Sequence, residues 1–400
     1  MSSPVYDKWQ QDQLIPQKGN KEPKHCVYFK LVELQDTTKF ACFDFDHTLV
    51  KCKSRKKFAK DKDDYVILYD EIKPKLKKIY KKGYNLIIFT NQKGIKNNKI
   101  SKDDVMGRLD NFVNDIGLPF SLFISANDDY FRKPCTGMFD LFLEVYNIKK
   151  SKISKRSFFC GDAAGRKKDF STSDRYFAHN NDLKFKTPEE YFLDYKKDID
   201  DSDEDSDEDS DEDSDVEDYH PKDFIADTVG DDNPILLPSK GINEMLIFVG
   251  LPASGKSTYA LNFCKANKNY KYINQDTLKT KAKCLKEVKN GLKEKKSILV
   301  DNTNPSKTVR AEYIALANEF NIKIRCIHFH TSLKMANWLN MYRVQTQHKK
   351  KIPDIAFRIF KTKFNTPELD EGFEEILNIK FKTSFKNKKE KKMFNKYLFI

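Results

Sequence analysis

Four hundred residues, a third of them charged and 39% hydrophobic, are enough for about two or three domains with adequate cores. No apolar run is long enough to span a bilayer, and the first residues, MSSPVYDKWQ, lack an apolar signal region, which points away from membrane insertion and secretion. Eight scattered cysteines without a CxxC pair exclude a disulfide scaffold and a cysteine-built zinc site, and suit a reduced intracellular protein.

The formal net charge of +13 understates the basicity. Residues 198–218 contain fifteen Asp or Glu and no Lys or Arg; without them the positive charge more than doubles. A remainder that basic favours a polyanionic partner, with nucleic acid the leading candidate.

In chain order, residues 1–37 form a polar extension with a short edge strand expected around Cys26 to Val32. From 38 to 197, apolar runs at Phe40 to Phe45, Asn85 to Phe89, Ser121 to Ser125 and Ser157 to Cys160 read as strands. They alternate with expected helices near 74–82, 102–115 and 137–146, a pattern that predicts a doubly wound parallel α/β sheet. Residues 198–240 hold a repeated Asp-Ser-Asp-Glu unit and are expected to be a disordered acidic linker, because they cannot bury a core. Its serines precede acidic residues, which suits an acidophilic kinase. A second α/β domain is expected at 241–385, with strands at 245–249, 271–273, 297–301 and 322–329 and helices near 256–266, 277–293, 306–320 and 332–345. Residues 386–400 read as a basic tail, frayed or touching a phosphate backbone.

The most specific motif is Gly250, Leu251, Pro252, Ala253, Ser254, Gly255, Lys256, Ser257 and Thr258, between a strand and a helix. This is the G-x-x-x-x-G-K-[ST] loop that cradles nucleoside triphosphates. Glycines let successive N–H groups face the phosphates, Lys256 reaches the β- and γ-phosphates, and the Ser257 hydroxyl is placed to ligate Mg²⁺. Downstream, Asp276 can accept a proton from an attacking hydroxyl. Asp301 ends a strand where the metal or its water shell belongs, and Arg310 and Arg343 can offset transition-state charge.

In the first domain, Asp44 and Asp46 flank Phe45, so both carboxylates lie on one side of an extended chain. Thr90-Asn91, Lys133 and Asp162 follow later elements in order. This set resembles the haloacid dehalogenase superfamily of phosphatases. The resemblance implies Asp44 as nucleophile, Asp46 as general acid and base, Thr90 and Asn91 as phosphate ligands and Lys133 as charge stabiliser. It also implies Mg²⁺ on Asp44, the Asp46 carbonyl and Asp162, with further support from Asp169 or Asp174. His47 stands where many members of that superfamily have glycine.

Both halves in this order resemble the eukaryotic type of polynucleotide 5′-kinase/3′-phosphatase, through ILYDEI, IIFTNQKGI, RKPCTGMFD, FCGDAAGRKKDF, DNTNP and the EGF at 371–373. No segment is expected to form the forkhead-associated domain of that family. The resemblance implies ATP as phosphate donor and broken nucleic-acid strands, DNA first, as substrate. A monomer is expected, in the nucleus or else the cytoplasm, with a DNA ligase or repair scaffold as partner. Gln275 and Met341 stand where basic residues are expected, which predicts weaker ATP handling or an altered 5′-end preference. The competing readings are a nucleic-acid-binding scaffold with a decayed kinase half, and RNA rather than DNA end repair.

Overall fold

The computed structural model describes residues 8–12, 27–56, 58–195, 234, 236–239, 241–347, 349–382 and 387–396. The acidic run 198–218, and with it the expected disorder, lies outside the described residues. The chain divides into two compact units, one built on residues 27–195 and the other on residues 234–343 and 351–394.

The first unit is a seven-stranded sheet in the order β1-β2-β7-β6-β3-β8-β9. Its strands are β1 (Gln10–Asp12), β2 (Val27–Lys30), β3 (Phe40–Phe43), β6 (Asn85–Asn91), β7 (Phe120–Ser125), β8 (Phe158–Cys160) and β9 (Lys184–Lys186). A small antiparallel pair, β4 (Val50–Lys51) and β5 (Val66–Ile67), stands apart. β3, β6, β7, β8 and β9 run parallel, whereas β2 joins β7 antiparallel. The strand expected near residue 27 therefore belongs to this sheet, with β1 outside it.

Helices α1 (Ile72–Lys81), α2 (Lys102–Ile116), α3 (Gly137–Val145), α4 (Ser173–Asn180) and α5 (Pro188–Phe192) complete the unit. Alternate residues of β3 enter two separate cores. Ala41 and Phe43 join one with Leu86, Ile88 and Phe112, while Phe40 and Cys42 join another with Phe89, Phe139 and Phe142. A strand apolar at every position needs cover on both faces, and helices on both sides supply it. α4, β9 and α5 were not expected; β9 is an edge strand that reads Lys-Phe-Lys and carries no long apolar run.

The second unit is a five-stranded sheet in the order β11-β12-β10-β13-β14, parallel throughout. Its strands are β10 (Glu244–Val249), β11 (Tyr270–Ile273), β12 (Ser297–Asp301), β13 (Lys323–His330) and β14 (Glu375–Lys380). The helix expected over 277–293 is two helices, Gln275–Leu278 and Lys281–Lys293. The break has a local cause. Lys279 adopts φ +74°, and the Thr280 hydroxyl accepts from Lys283 N–H at 3.3 Å to start the second helix.

Both boundaries of this unit move outward. Leu236, placed in the linker by the sequence pattern, is buried with Leu246 and Phe248. The basic tail is helical over Lys388–Phe394, and Phe394 meets Tyr342 edge-on at 5.3 Å. One buried aromatic is enough to anchor a lysine-rich segment whose charges face water. Among the described residues all seven cysteines are free, and six are buried. No helix among them is long and apolar enough to cross a membrane.

Candidate active sites

In the first unit the chemistry collects beyond the carboxyl ends of parallel strands. β3 lies between β6 and β8, and Asp44 leaves its end with its N–H bonded to Cys160 O at 2.9 Å. Phe45 is buried and meets the Phe112 ring at 5.5 Å, which fixes the backbone between the two acids. His47 then turns the chain at φ +59°. That value explains why glycine suits this position: side chains are strained there, although His tolerates it better than most.

The two aspartates have different partners. Asp44 pairs with Lys133 Nζ at 2.8 Å, and the same nitrogen pairs with Asp174 at 2.7 Å. Burial would drain charge from Lys133, but Asp174 and Asp44 outweigh it and hold the ammonium above its usual range. Asp46 instead accepts from Arg108 at 2.6 Å and from Gln92 Nε2 at 2.7 Å. Gln92 also donates to the Thr90 hydroxyl at 3.0 Å.

One oxygen each from Asp44, Asp162 and Asp174 lies within 4.8 Å of the others. Burial first, then the neighbouring carboxylates, pushes Asp44 up to about 7 and Asp162 up to about 8. Three converging carboxylates against a single lysine leave uncompensated negative charge. A hard divalent cation with oxygen ligands fits that set. Between the two supporting acids considered, the geometry selects Asp174; Asp169 is engaged by Arg166 Nε and the Ala164 N–H, each at 3.0 Å. Gly161 makes room for that choice, since a Cβ there would stand 2.4 Å from the Asp174 carboxylate.

Asn91 departs from expectation. Its Oδ1 accepts from Lys133 N–H at 3.0 Å and its Nδ2 donates to Lys133 O at 3.2 Å. A side chain engaged at both ends positions Lys133; it is not aimed at a phosphoryl oxygen. Arg108 and Gln92 were missed. Arg108 did carry a signal: it sits among Val105, Leu109 and Phe112 on the buried face of α2, and a cation there needs a carboxylate.

In the second unit the glycine-rich loop joins β10 to the helix Lys256–Ala266. Gly250 is tightly enclosed, because a Cβ would meet the Phe329 Cβ at 3.0 Å and its carbonyl oxygen at 3.1 Å. Gly255 caps the helix at φ +91°, and Ala253 also turns left-handed at φ +59°. Lys256 Nζ donates to Gly250 O at 2.9 Å, Leu251 O at 2.5 Å and Ser254 Oγ at 3.1 Å. Its burial lowers the ammonium to about 8, against the opposing pull of Asp301 and Asp276.

Asp301 ends β12 and accepts from Tyr272 Oη at 2.6 Å, while the same hydroxyl interacts with Ser257. Asn274 ties the strand ends together. It donates to Asp301 Oδ2 at 3.1 Å and accepts from Thr277 N–H at 3.2 Å, fixing the turn that carries Asp276. Arg343 lies close enough to feel the Asp276 charge, although burial lowers its guanidinium overall. Gln275 is exposed and its N–H bonds Asn302 at 2.8 Å.

One expectation fails here. Arg310 is fully buried and pairs bidentately with Glu371, at 2.7 Å from Nε and 2.6 Å from Nη2. Its Nη1 donates to the carbonyls of Asn304, Pro305 and Asn365. Fully buried and engaged at all three nitrogens, Arg310 holds the DNTNP turn to the EGF turn. Met341 is buried as well.

Residues 39–192 match the family described as Polynucleotide kinase 3 phosphatase, and residues 245–367 match one described as AAA domain. The chain is 36% identical over 355 residues to a bifunctional polynucleotide phosphatase/kinase of Schizosaccharomyces pombe, covering 88% of this chain and 82% of that one. It is 33% identical to a putative bifunctional polynucleotide phosphatase/kinase of Acanthamoeba polyphaga mimivirus, covering 91% and 90%. A polynucleotide 3′-phosphatase of Arabidopsis thaliana is 35% identical over 207 residues, which are 48% of this chain and 29% of that one.

Proposed function

The chain belongs to the bifunctional polynucleotide phosphatase/kinase family, and from that premise we propose that it heals broken nucleic-acid strands. The first unit removes a 3′-phosphate, and the second transfers the γ-phosphate of ATP to a 5′-hydroxyl. The observation that carries this reading is the split between Asp44, paired with Lys133, and Asp46, held by Arg108 and Gln92.

That split suits two roles. The Asp44 carboxylate attacks phosphorus as the bond to the 3′ oxygen breaks, and Asp46 gives that oxygen a proton. Water then attacks the aspartyl-phosphate, with Asp46 taking its proton, and inorganic phosphate leaves. Lys133 and the Thr90 hydroxyl offset charge on the phosphoryl oxygens, and Asn91 keeps Lys133 in place. Asp44, Asp162 and Asp174, with the Asp46 carbonyl, would hold Mg²⁺, which would supply further neutralisation of the transferring group.

In the second unit Asp276 accepts the proton of the 5′-hydroxyl, whose oxygen attacks the γ-phosphorus as the bond to ADP breaks. Lys256 exchanges its loop carbonyls for phosphate oxygens, and Arg343, near enough to Asp276 to feel its charge, adds positive charge. Ser257 and Asp301 would hold the Mg²⁺ that accompanies ATP. The basic charge suits a polyanion gripped by its backbone, DNA ends first, and nuclear repair beside a ligase is the setting this reading implies.

The test uses an oligonucleotide nick with 3′-phosphate and 5′-hydroxyl ends. Asp44→Ala should abolish phosphate release by at least about a thousandfold and spare 5′ transfer, and Lys256→Ala or Asp276→Ala should do the reverse. Loss of both activities from one folded variant would refute two independent sites. Absence of any transfer by the wild type would favour a decayed kinase, and matched DNA and RNA ends decide the sugar.

A further inference from the structure

The first unit carries a second basic feature that the catalytic chemistry does not use. A groove of about 480 Å³ is lined by Lys78, Lys82, Lys155, Arg156, Lys184 and Lys186, all of them exposed. Its lining belongs largely to the opposite end of the sheet from the catalytic aspartates. Lys82 and Tyr84 precede β6, Lys155 and Arg156 precede β8, and Lys184 begins β9, whereas Asp44, Thr90 and Asp162 follow or end their strands. From the first residue of β8 to Asp162 the chain covers roughly 13 Å.

The charge is largely uncompensated. Two carboxylates, Glu190 and Asp194, line the groove. Asp194 pairs with a seventh lining cation, Lys75, at 2.6 Å, and Glu190 accepts from Thr187 N–H at 2.7 Å to close the cap of α5. None of the six exposed cations has an ion-pair partner among the described residues. Gathering like charges around one concavity opposes folding unless an anion or counterions neutralise them.

The floor is aromatic. Phe158 and Tyr191 have ring centroids 4.8 Å apart, and Tyr84 lies 6.1 Å from Phe158. Lys186 Nζ stands 5.6 Å from the Tyr191 centroid, and Lys39 Nζ stands 5.7 Å from that of Tyr84. Phe158 is buried, while Tyr84 and Tyr191 are half-buried; exposed cations for phosphates beside two partly open tyrosines suit a nucleic-acid strand gripped without reading its sequence.

We propose that this groove binds the phosphodiester backbone of the substrate away from the end being processed, as a second contact that anchors long strands. The inference rests on the polynucleotide reading above. An acidic peptide, including the run at 198–218 of this chain, shares the charge but brings Asp, Glu and Ser with a single Val and Ile, and so has no ring to lay on the aromatic floor. Nucleic acid is therefore the better match.

The test is the full chain with Lys78→Glu, Lys155→Glu and Lys184→Glu combined. One probe is a DNA strand of a few tens of residues with 5′-phosphate and 3′-hydroxyl ends, which offers neither site a reaction. The variant should bind it about tenfold or more weakly near 0.1 M salt, and the slope of log affinity against log salt should flatten by about two. Its kcat for 3′-phosphate release from a trinucleotide, too short to reach the groove, should match the wild type and so establish folding. If charge reversal unfolds the unit, the three Lys→Gln changes replace it, with a smaller loss of affinity expected in the same direction.

Unchanged affinity and slope in a variant with intact phosphatase activity overturn the inference alone. So does binding of a synthetic 198–218 peptide at the groove with oligonucleotide affinity unaltered. A wild type that releases no phosphate from any 3′-phosphorylated oligonucleotide overturns the end-healing reading as well.

Discussion

The two units each bury a lysine at the centre of their chemistry, and they treat it in opposite ways. Lys133 lies between Asp44 and Asp174 and is held above the usual ammonium range despite its burial. Lys256 has only two carbonyls and a hydroxyl at hydrogen-bond distance, and it falls to about 8. Arg310 in the same unit shows that a buried cation there can be fully paired when its purpose is architecture. The difference teaches how each site meets its substrate. On the proposed reading the phosphatase site is charged before the phosphate arrives, whereas the loop around Lys256 would gain its counter-charge from the nucleotide itself.

Asp174→Asn strikes at that comparison most strongly. With half its compensation gone, Lys133 should hold its charge less firmly and Asp44 should lose its rival. Phosphate release should drop by about a hundredfold, with a higher Mg²⁺ concentration at half-maximal rate and ATP transfer unaffected. A metal titration of both activities checks this, and an unchanged phosphatase would remove Asp174 from the site.

Arg310→Met should destabilise the kinase unit by about 3–5 kcal/mol, because the buried Glu371 carboxylate loses its counter-ion and keeps the Glu368 N–H. Adding Glu371→Leu should restore much of the loss. Below the melting transition, kcat and KM for ATP should stay near wild type, as expected for a group that faces no phosphate. Thermal melts with paired kinetics separate this from a catalytic role, in which kcat would collapse in folded protein.

Lys256 yields a subtler effect. Its folded value lies below that of the free side chain, so its contribution to stability rises with pH between about 8 and 10.5. Bound phosphates favour the charged form, so ATP binding near pH 8.5 should take up a fraction of a proton. Calorimetry in buffers of different ionisation enthalpy measures it, and zero uptake would mean that Lys256 is already charged. The smallest effect is expected at His47. His47→Gly should relieve its φ of +59° and shift stability by about 1 kcal/mol or less, the strain saved being partly offset by a looser unfolded chain.

Much of this arrangement was legible beforehand because it is local. An apolar run ending in Asp44-Phe45-Asp46 implies a strand that delivers acids at its end, and β3 (Phe40–Phe43) ends just before Asp44. The glycine-rich loop and the helix after it fall at 250–266 as their spacing requires. Where reading failed, the cause was distance along the chain. Arg310 looked like a phosphate ligand because nothing nearby shows that Glu371, sixty-one residues on, completes its coordination. Asn91 looked like a phosphate ligand because Lys133 is forty-two residues away. Arg108 had a visible clue, a cation inside an apolar helical stripe, but its partner Asp46 lies sixty-two residues earlier.

By itself, then, the sequence determined which chemistries this chain can host, since strand-end acids, a phosphate loop and their order are short-range patterns. Only the tertiary structure decided which charges meet. It paired Lys133 with Asp44 and Asp174, sealed Arg310 against Glu371, surrounded Lys256 with two loop carbonyls and a hydroxyl, and drew six cations without ion-pair partners among the described residues around one groove. Buried charges are settled by whichever partners folding brings within a few ångströms, and no pattern along the chain specifies those distances.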